Sequence, residues 1–238
     1  MNKRLLLISN STNAGEPYLG WCGEMIKDFA EKHNVTDVLF VPYAGVSMGY
    51  DAYEQRVAAV FDTLGLKIHS LHRADNPVEA VKQAQCVAVG GGNTFHLVYE
   101  LWRLGEMKLI RERAEEGMPY MGWSAGSNVA CPSLKTTNDM PIIEPERFDC
   151  MNLVKFQINP HYTDFFDPKH GGETRQDRIN EFLKVNQDIN VVGLREATAL
   201  SLEEGKLRLI GRNNPLVLFK YNQEPKHYGL DSDLNFLL

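Results

Sequence analysis

The chain has 238 residues, 43% hydrophobic and 24% charged, with a formal net charge of -6. A globular chain of this size buries its core without disulfide or metal braces. Its acidic balance, with no basic cluster, argues against nucleic acid as a partner. No apolar stretch reaches membrane-spanning length. The segment Met1 to Ile8 is too short for a signal segment and has no cleavage site after it. A cytoplasmic protein with no membrane partner is expected. Cys22, Cys86, Cys131 and Cys150 form no C-x-x-C pair. They read as free buried thiols of a reducing compartment, and no metal or other cofactor is expected.

Short apolar runs alternate with amphipathic ones. Leu5 to Ser9 reads as a strand, Tyr18 to Lys32 as a helix, Asp37 to Val41 as a strand and Tyr50 to Leu64 as a helix. Lys67 to Leu71 is a short strand. Pro77 to Ala84 is a helix opened by Asn76 as N-cap, with Pro77 at its first position. Cys86 to Val89 is a strand running into Gly90-Gly91-Gly92-Asn93. Thr94 to Leu104 and Met107 to Glu116 are helical, and Met118 to Met121 is the next apolar run. Beyond Cys131 the pattern is less regular. Thr174 to Val185 reads as a helix and Val191 to Leu194 as a strand. Ala197 to Leu202 and Lys206 to Ile210 read as a hairpin, and Leu216 to Lys220 as a last strand. Near-continuous apolar strands alternating with helices predict one α/β domain over residues 1–238. Its central sheet would be mostly parallel, with helices on both faces.

The apolar run at Met118 to Met121 is followed by Gly122-Trp123-Ser124-Ala125-Gly126, which reads G-x-S-x-G. A strand turning sharply into a helix with serine at its tip is a nucleophile elbow. The turn exposes the Ser124 hydroxyl and sets the N–H of Ala125 at a helix N-terminus, where an oxyanion can be held. A tight turn whose serine only caps the helix is the plainer alternative.

A serine nucleophile needs a base, and the base an orienting group. Of seven histidines, His33 and His227 lie in polar segments, His69 and His72 flank a remote short strand, and His170 sits in a polar loop. His96, one turn into the helix after the glycine run, suits a packing role. His161 follows the apolar segment Val154 to Ile158 and an expected Asn159-Pro160 turn, so it falls at a sheet's catalytic end. Glu196, just after the strand Val191 to Leu194, and Asp139, in a turn-rich loop, are the candidate third members. The α/β-hydrolases run serine, acid, histidine. Choosing Asp139 would restore that order, but only fifteen positions separate it from Ser124, which leaves no room for the intervening elements. Glu196 is therefore favoured, with Asp139 as a supporting polar residue.

The run Gly90-Gly91-Gly92-Asn93-Thr94 is not G-x-G-x-x-G, which disfavours a dinucleotide site. Facing the elbow across the sheet's carboxyl edge, it would supply a second oxyanion donor from Gly92. Asn93 or Thr94 would cap the following helix. Thr174 can cap the later helix, and Arg175 in its first turn opposes the helix dipole. A two-point grip on a substrate carboxylate would explain it, as would pairing with Glu173 or Asp177.

These stretches together resemble the peptidase E family of α-aspartyl dipeptidases. The matching segments include Ser9-Asn10-Ser11-Thr12, Val41 to Val46, Gly90 to Phe95, Gly122 to Gly126, Thr136 to Ile142, Ile158 to His161 and Gly172 to Arg175. They run in order to about residue 200. The resemblance implies a fold related to class I glutamine amidotransferases, with serine in place of their cysteine. It implies hydrolysis of dipeptides, and a few slightly longer peptides, with an N-terminal aspartate; a monomer or homodimer is expected. It casts Ser124 as nucleophile, His161 as base, Glu196 as orienting acid, Asp139 as a further important acid and Gly92 and Ala125 as oxyanion donors. Arg175 matches an arginine that holds the aspartyl side chain. One departure is Leu194-Arg195-Glu196-Ala197, where the family flanks the glutamate with proline and glycine. The competing expectations are a cyanophycinase-like β-aspartyl peptidase and a non-catalytic protein of the same fold that binds an acidic ligand.

Overall fold

The computed structural model describes residues 3–167, 169 and 171–238. His170 therefore lies outside the described residues. In chain order the elements are β1 (Leu5–Ile8), α1 (Gly23–Lys32), β2 (Asp37–Val41), α2 (Tyr50–Thr63), β3 (Lys67–Ser70), α3 (Pro77–Gln83) and β4 (Val87–Val89). Then come α4 (Thr94–Arg103), α5 (Glu106–Glu115), β5 (Tyr120–Trp123), α6 (Ala125–Val129), β6 (Gln157–Tyr162) and α7 (Arg175–Val185). The chain finishes with β7 (Val191–Arg195), β8 (Thr198–Glu203), β9 (Lys206–Gly211), β10 (Leu216–Phe219) and β11 (Lys226–Tyr228).

Seven strands form the large sheet in the order β3-β2-β4-β5-β1-β8-β9. The first five in that order are parallel, and β8 and β9 add an antiparallel edge. Side chains of β1 alternate between two cores, because successive residues of a strand point to opposite faces. Leu5 and Leu7 join the apolar cluster of α4 and α5, while Leu6 and Ile8 join that of α1 and α2. Both faces are thus covered, which explains why β1, β4 and β5 are unbroken buried runs.

The expectation of a mostly parallel sheet between helices holds for this layer, but the later strands build a second sheet, β11-β10-β7-β6. Its outer cluster packs Tyr162, Val191, Val217 and Phe219 against Ile179 and Leu183 of α7. The expected Asn159-Pro160 turn is absent: both residues lie within β6. Proline is tolerated there because β6 is an edge strand, where a missing N–H breaks no ladder. The expected helix from Tyr18 starts later, with a short 3-10 turn at Gly20–Cys22 before α1, because Leu19 takes a left-handed backbone (φ 55°). Leu216–Phe219 is not the last strand. His227, read as part of a polar tail, lies on β11. No helix among the described residues is long and apolar enough to cross a membrane.

Glu106 is fully buried at the start of α5. The Tyr43 hydroxyl donates to its Oε1 at 3.1 Å, and Oε2 has no partner among the described residues. Burial pushes its pKa up to about 7 from an ordinary 4.5. Between those values the unfolded chain has lost this proton and the native state keeps it, so stability falls as pH rises through that window. Glu106→Gln should remove that slope. Thermal unfolding is expected to show the variant gaining about 2 kcal/mol on wild type between pH 5 and pH 8. A parallel pH dependence in both proteins would contradict it.

Candidate active site

The register of the large sheet sets where its strands end. Ile8 pairs with Trp123 and Val89 with Gly122, so Ser9, Ser124 and Gly90 emerge together at the carboxyl edge. Ser124 joins β5 to α6 with φ 54° and ψ -111°, a strained backbone for a residue with a side chain. The neighbouring glycines make the turn possible. A Cβ on Gly122 would lie 2.4 Å from the Gly126 carbonyl oxygen, and one on Gly126 would lie 2.0 Å from that of Val89.

His161 Nε2 is 2.9 Å from Ser124 Oγ, and His161 Nδ1 is 2.8 Å from Glu196 Oε1. The structure thus brings together Ser124, His161 and Glu196. His161 (φ 54°) and Ala197 (φ 61°) share with Ser124 the left-handed sign of φ, so each member of the row sits at or beside an unusual backbone turn.

Two buried residues at the end of β1 fix this row. Ser9 Oγ accepts the His161 N–H at 3.0 Å and donates to the Leu194 carbonyl at 2.8 Å. Asn10 Oδ1 accepts the Ala197 N–H at 2.8 Å. Sequence reasoning gave Ser9 and Asn10 no role. The available signal was two small polar residues closing a strand that is otherwise wholly apolar.

Gly92 lines the cavity that holds Ser124, and Ala125 follows Ser124 at the start of α6. Neither N–H has a hydrogen-bond partner among the described residues. Asn93 caps α4, its side chain accepting from the His96 N–H at 3.1 Å. The Tyr53 hydroxyl donates to the Gly91 carbonyl at 2.9 Å and accepts from Trp123 Nε1 at 3.1 Å, tying the glycine run to the elbow strand. His96 Nδ1 lies 2.7 Å from the Tyr43 carbonyl, a packing role.

Asp139 is not against His161. Its Oδ2 accepts from the Thr94 N–H at 2.7 Å, the Thr94 hydroxyl at 2.6 Å and the Thr137 hydroxyl at 2.9 Å, pinning the loop to the start of α4. Arg175 opens α7 behind Thr174, which forms a capping box with Asp177. Asp177 is spent on that cap, and Glu173 pairs with Arg178 at 3.7 Å. Arg175 is half-buried and lines a small pocket with Thr137, Asn138 and Asn159, which shares no residue with the cavity that holds Ser124. Burial lowers its pKa, and the charge of Arg178 lowers it further, while Asp139 opposes the shift.

One group of possible metal ligands occurs among the described residues: Asp51, Glu54 and His72. Arg73 already pairs with both carboxylates, at 2.8 and 2.5 Å. All four cysteines are free and buried. Burial holds the Cys22 and Cys131 thiols up at about 12.

A strained serine at a strand-to-helix turn, with a histidine and a carboxylate in line behind it, is the arrangement of a serine hydrolase on an α/β sheet. The family model described as "Peptidase family S51" matches residues 5–210. The chain belongs to that family. It is 49% identical over 238 residues to a protein of Nostoc sp. named "Peptidase E", covering all of this chain and 98% of that one. It is 44% identical to a "Peptidase E" of Shewanella putrefaciens, covering both chains in full. The fold is similar to that of a peptidase from an acI-B1 actinobacterium, with a TM-score of 0.67, 21% identity and coverage of 98% of this chain and 97% of that one. It is also similar to a peptidase E candidate from Listeria monocytogenes EGD-e, with a TM-score of 0.63, 22% identity and coverage of 89% of this chain and all of the other.

Proposed function

We propose that the protein is a serine dipeptidase that cleaves the bond after an N-terminal aspartate, with Ser124 as nucleophile, His161 as base and Glu196 as the group that orients it. The observation that carries this reading is His161 within hydrogen-bond distance of both Ser124 and Glu196. His161 takes the Ser124 proton as Oγ attacks the aspartyl carbonyl. The N–H groups of Gly92 and Ala125 hold the oxyanion, worth about 3 kcal/mol per donor in comparable sites. The leaving amine takes the proton from His161, and water then releases aspartate. Asp139 holds the loop beside the glycine run. The four buried thiols support a reducing, cytoplasmic setting.

Arg175 is the cation for the aspartyl side chain in this reading. It is half-buried and has no carboxylate partner among the described residues. Arg175→Met is expected to lower kcat/KM for Asp-Leu by about 30- to 140-fold, the loss of one charged hydrogen-bonded contact of about 2–3 kcal/mol. Release of free aspartate from Asp-Leu, with Leu-Leu and β-Asp-Leu as controls, tests the assignment. Equal turnover of Leu-Leu would remove the aspartyl specificity, and preference for β-Asp-Leu would move the protein to the cyanophycinase-like side.

A further inference from the structure

The cavity that holds Ser124 and His161, about 580 Å³, contains a cation with no part in the reading above. Arg56, on α2, is the only lysine or arginine lining it among the described residues. The guanidinium carbon sits 4.1 Å from the centre of the Tyr18 ring. Such stacking orients the planar fork while leaving its N–H groups free. Tyr18 is itself fixed: its hydroxyl donates to the Tyr53 hydroxyl at 3.3 Å, and Tyr53 holds the Gly91 carbonyl. The cation is thereby tied to the oxyanion loop. No carboxylate lies within 4.0 Å of it among the described residues, whereas Arg73, Arg195 and Arg212 each hold one. In an acidic protein, an arginine without a partner, held over an aromatic face in the reaction cavity, is placed to receive an anion from outside.

The substrate offers that anion. A dipeptide with N-terminal aspartate carries two carboxylates, the aspartyl side chain before the scissile bond and the chain terminus after it. Arg175 lines a separate pocket with Asn138 and Asn159, and Arg56 lies in the wall that α2 gives the reaction cavity. That wall continues into Val46 and Met48, which with Ile142 give the cavity exposed apolar side chains. Resting on the aspartyl-dipeptidase reading, we propose that Arg56 binds the C-terminal carboxylate of the leaving residue while Val46, Met48 and Ile142 take an apolar side chain from it. The pair of cations then measures the peptide. One further residue would carry the terminal carboxylate about 3.5 Å onward, out of register with Arg56.

The test is the ratio of kcat/KM for Asp-Leu to that for Asp-Leu-amide, which lacks only the terminal charge. Wild type is expected to favour the free acid by tenfold or more. Arg56→Met should bring the ratio close to one, chiefly through KM for Asp-Leu, and Arg56→Lys should give an intermediate value. Arg56 is exposed, so its truncation leaves the core untouched. A wild-type ratio near one, or a ratio that survives Arg56→Met, overturns the proposal. Should Asp-Leu react no faster than Ala-Leu, the aspartyl reading fails by itself, and the same ratio from Ala-Leu and Ala-Leu-amide judges Arg56. If no peptide is cleaved, calorimetric binding of Asp-Leu and Asp-Leu-amide decides. Tighter binding of the free acid, lost in Arg56→Met, supports the role; equal binding refutes it.

Discussion

Ser124→Ala is expected to cut the rate of Asp-Leu hydrolysis by about 10⁴-fold or more while leaving the peptide's binding within a factor of a few. In the proposed mechanism the hydroxyl oxygen is the one atom that forms the acyl bond, and its removal leaves only the oxyanion donors and the bound geometry to act. His161→Ala should cost a similar factor, and the double variant little more. Both residues serve one step, so their effects do not add. Initial rates and calorimetry on the three variants check this. A Ser124→Ala protein that retained a tenth of the activity would mean that another group attacks the carbonyl. Stability should change little, because the Ser124 backbone is held by its own hydrogen bonds, its N–H donating to Ile8 and its carbonyl accepting from Ser127 and Asn128.

Gly92→Ala should be damaging in two measurements at once. The residue has φ +137°, a conformation that a side chain strains, and an added Cβ would meet the Ala44 carbonyl oxygen at 2.1 Å. That oxygen already accepts the Asn93 N–H at 2.9 Å, so it has little freedom to withdraw. The loop must shift, and the Gly92 N–H shifts with it. Loss of one oxyanion donor corresponds to about 10²–10³ in kcat. The backbone clash should add about 2–3 kcal/mol of destabilisation in denaturant unfolding. A variant with unchanged kcat would remove Gly92 from the oxyanion site, whatever its stability.

The large sheet was readable because buried parallel strands leave a strong trace. Leu5 to Ile8 and Val38 to Val41 are unbroken apolar runs closed by polar or turn residues, and helical patterns separate them. The second sheet was not, since periodicity reports burial and not which neighbour a strand pairs with. β11 carries only Lys-His-Tyr, half-exposed on an edge, and gives no alternation to detect. In the site, the elbow and glycine run were legible because close backbone approach demands glycine at fixed spacings. Asp139 was harder, as its partners Thr94 and Thr137 lie on separate segments. Arg56 sits on the amphipathic helix α2 like any surface arginine. Only folding shows that it hangs over Tyr18 in the Ser124 cavity.

Ser124 belongs to the large sheet, His161 to the second, and Glu196 to one of the crossings between them, where β7 hands over to β8. Ser9 and Asn10 are the rivets between them. Turnover is therefore a gauge of how well the two sheets are seated against each other. A lesion that loosened that seam while sparing both cores would leave a well-folded protein whose serine and histidine no longer meet.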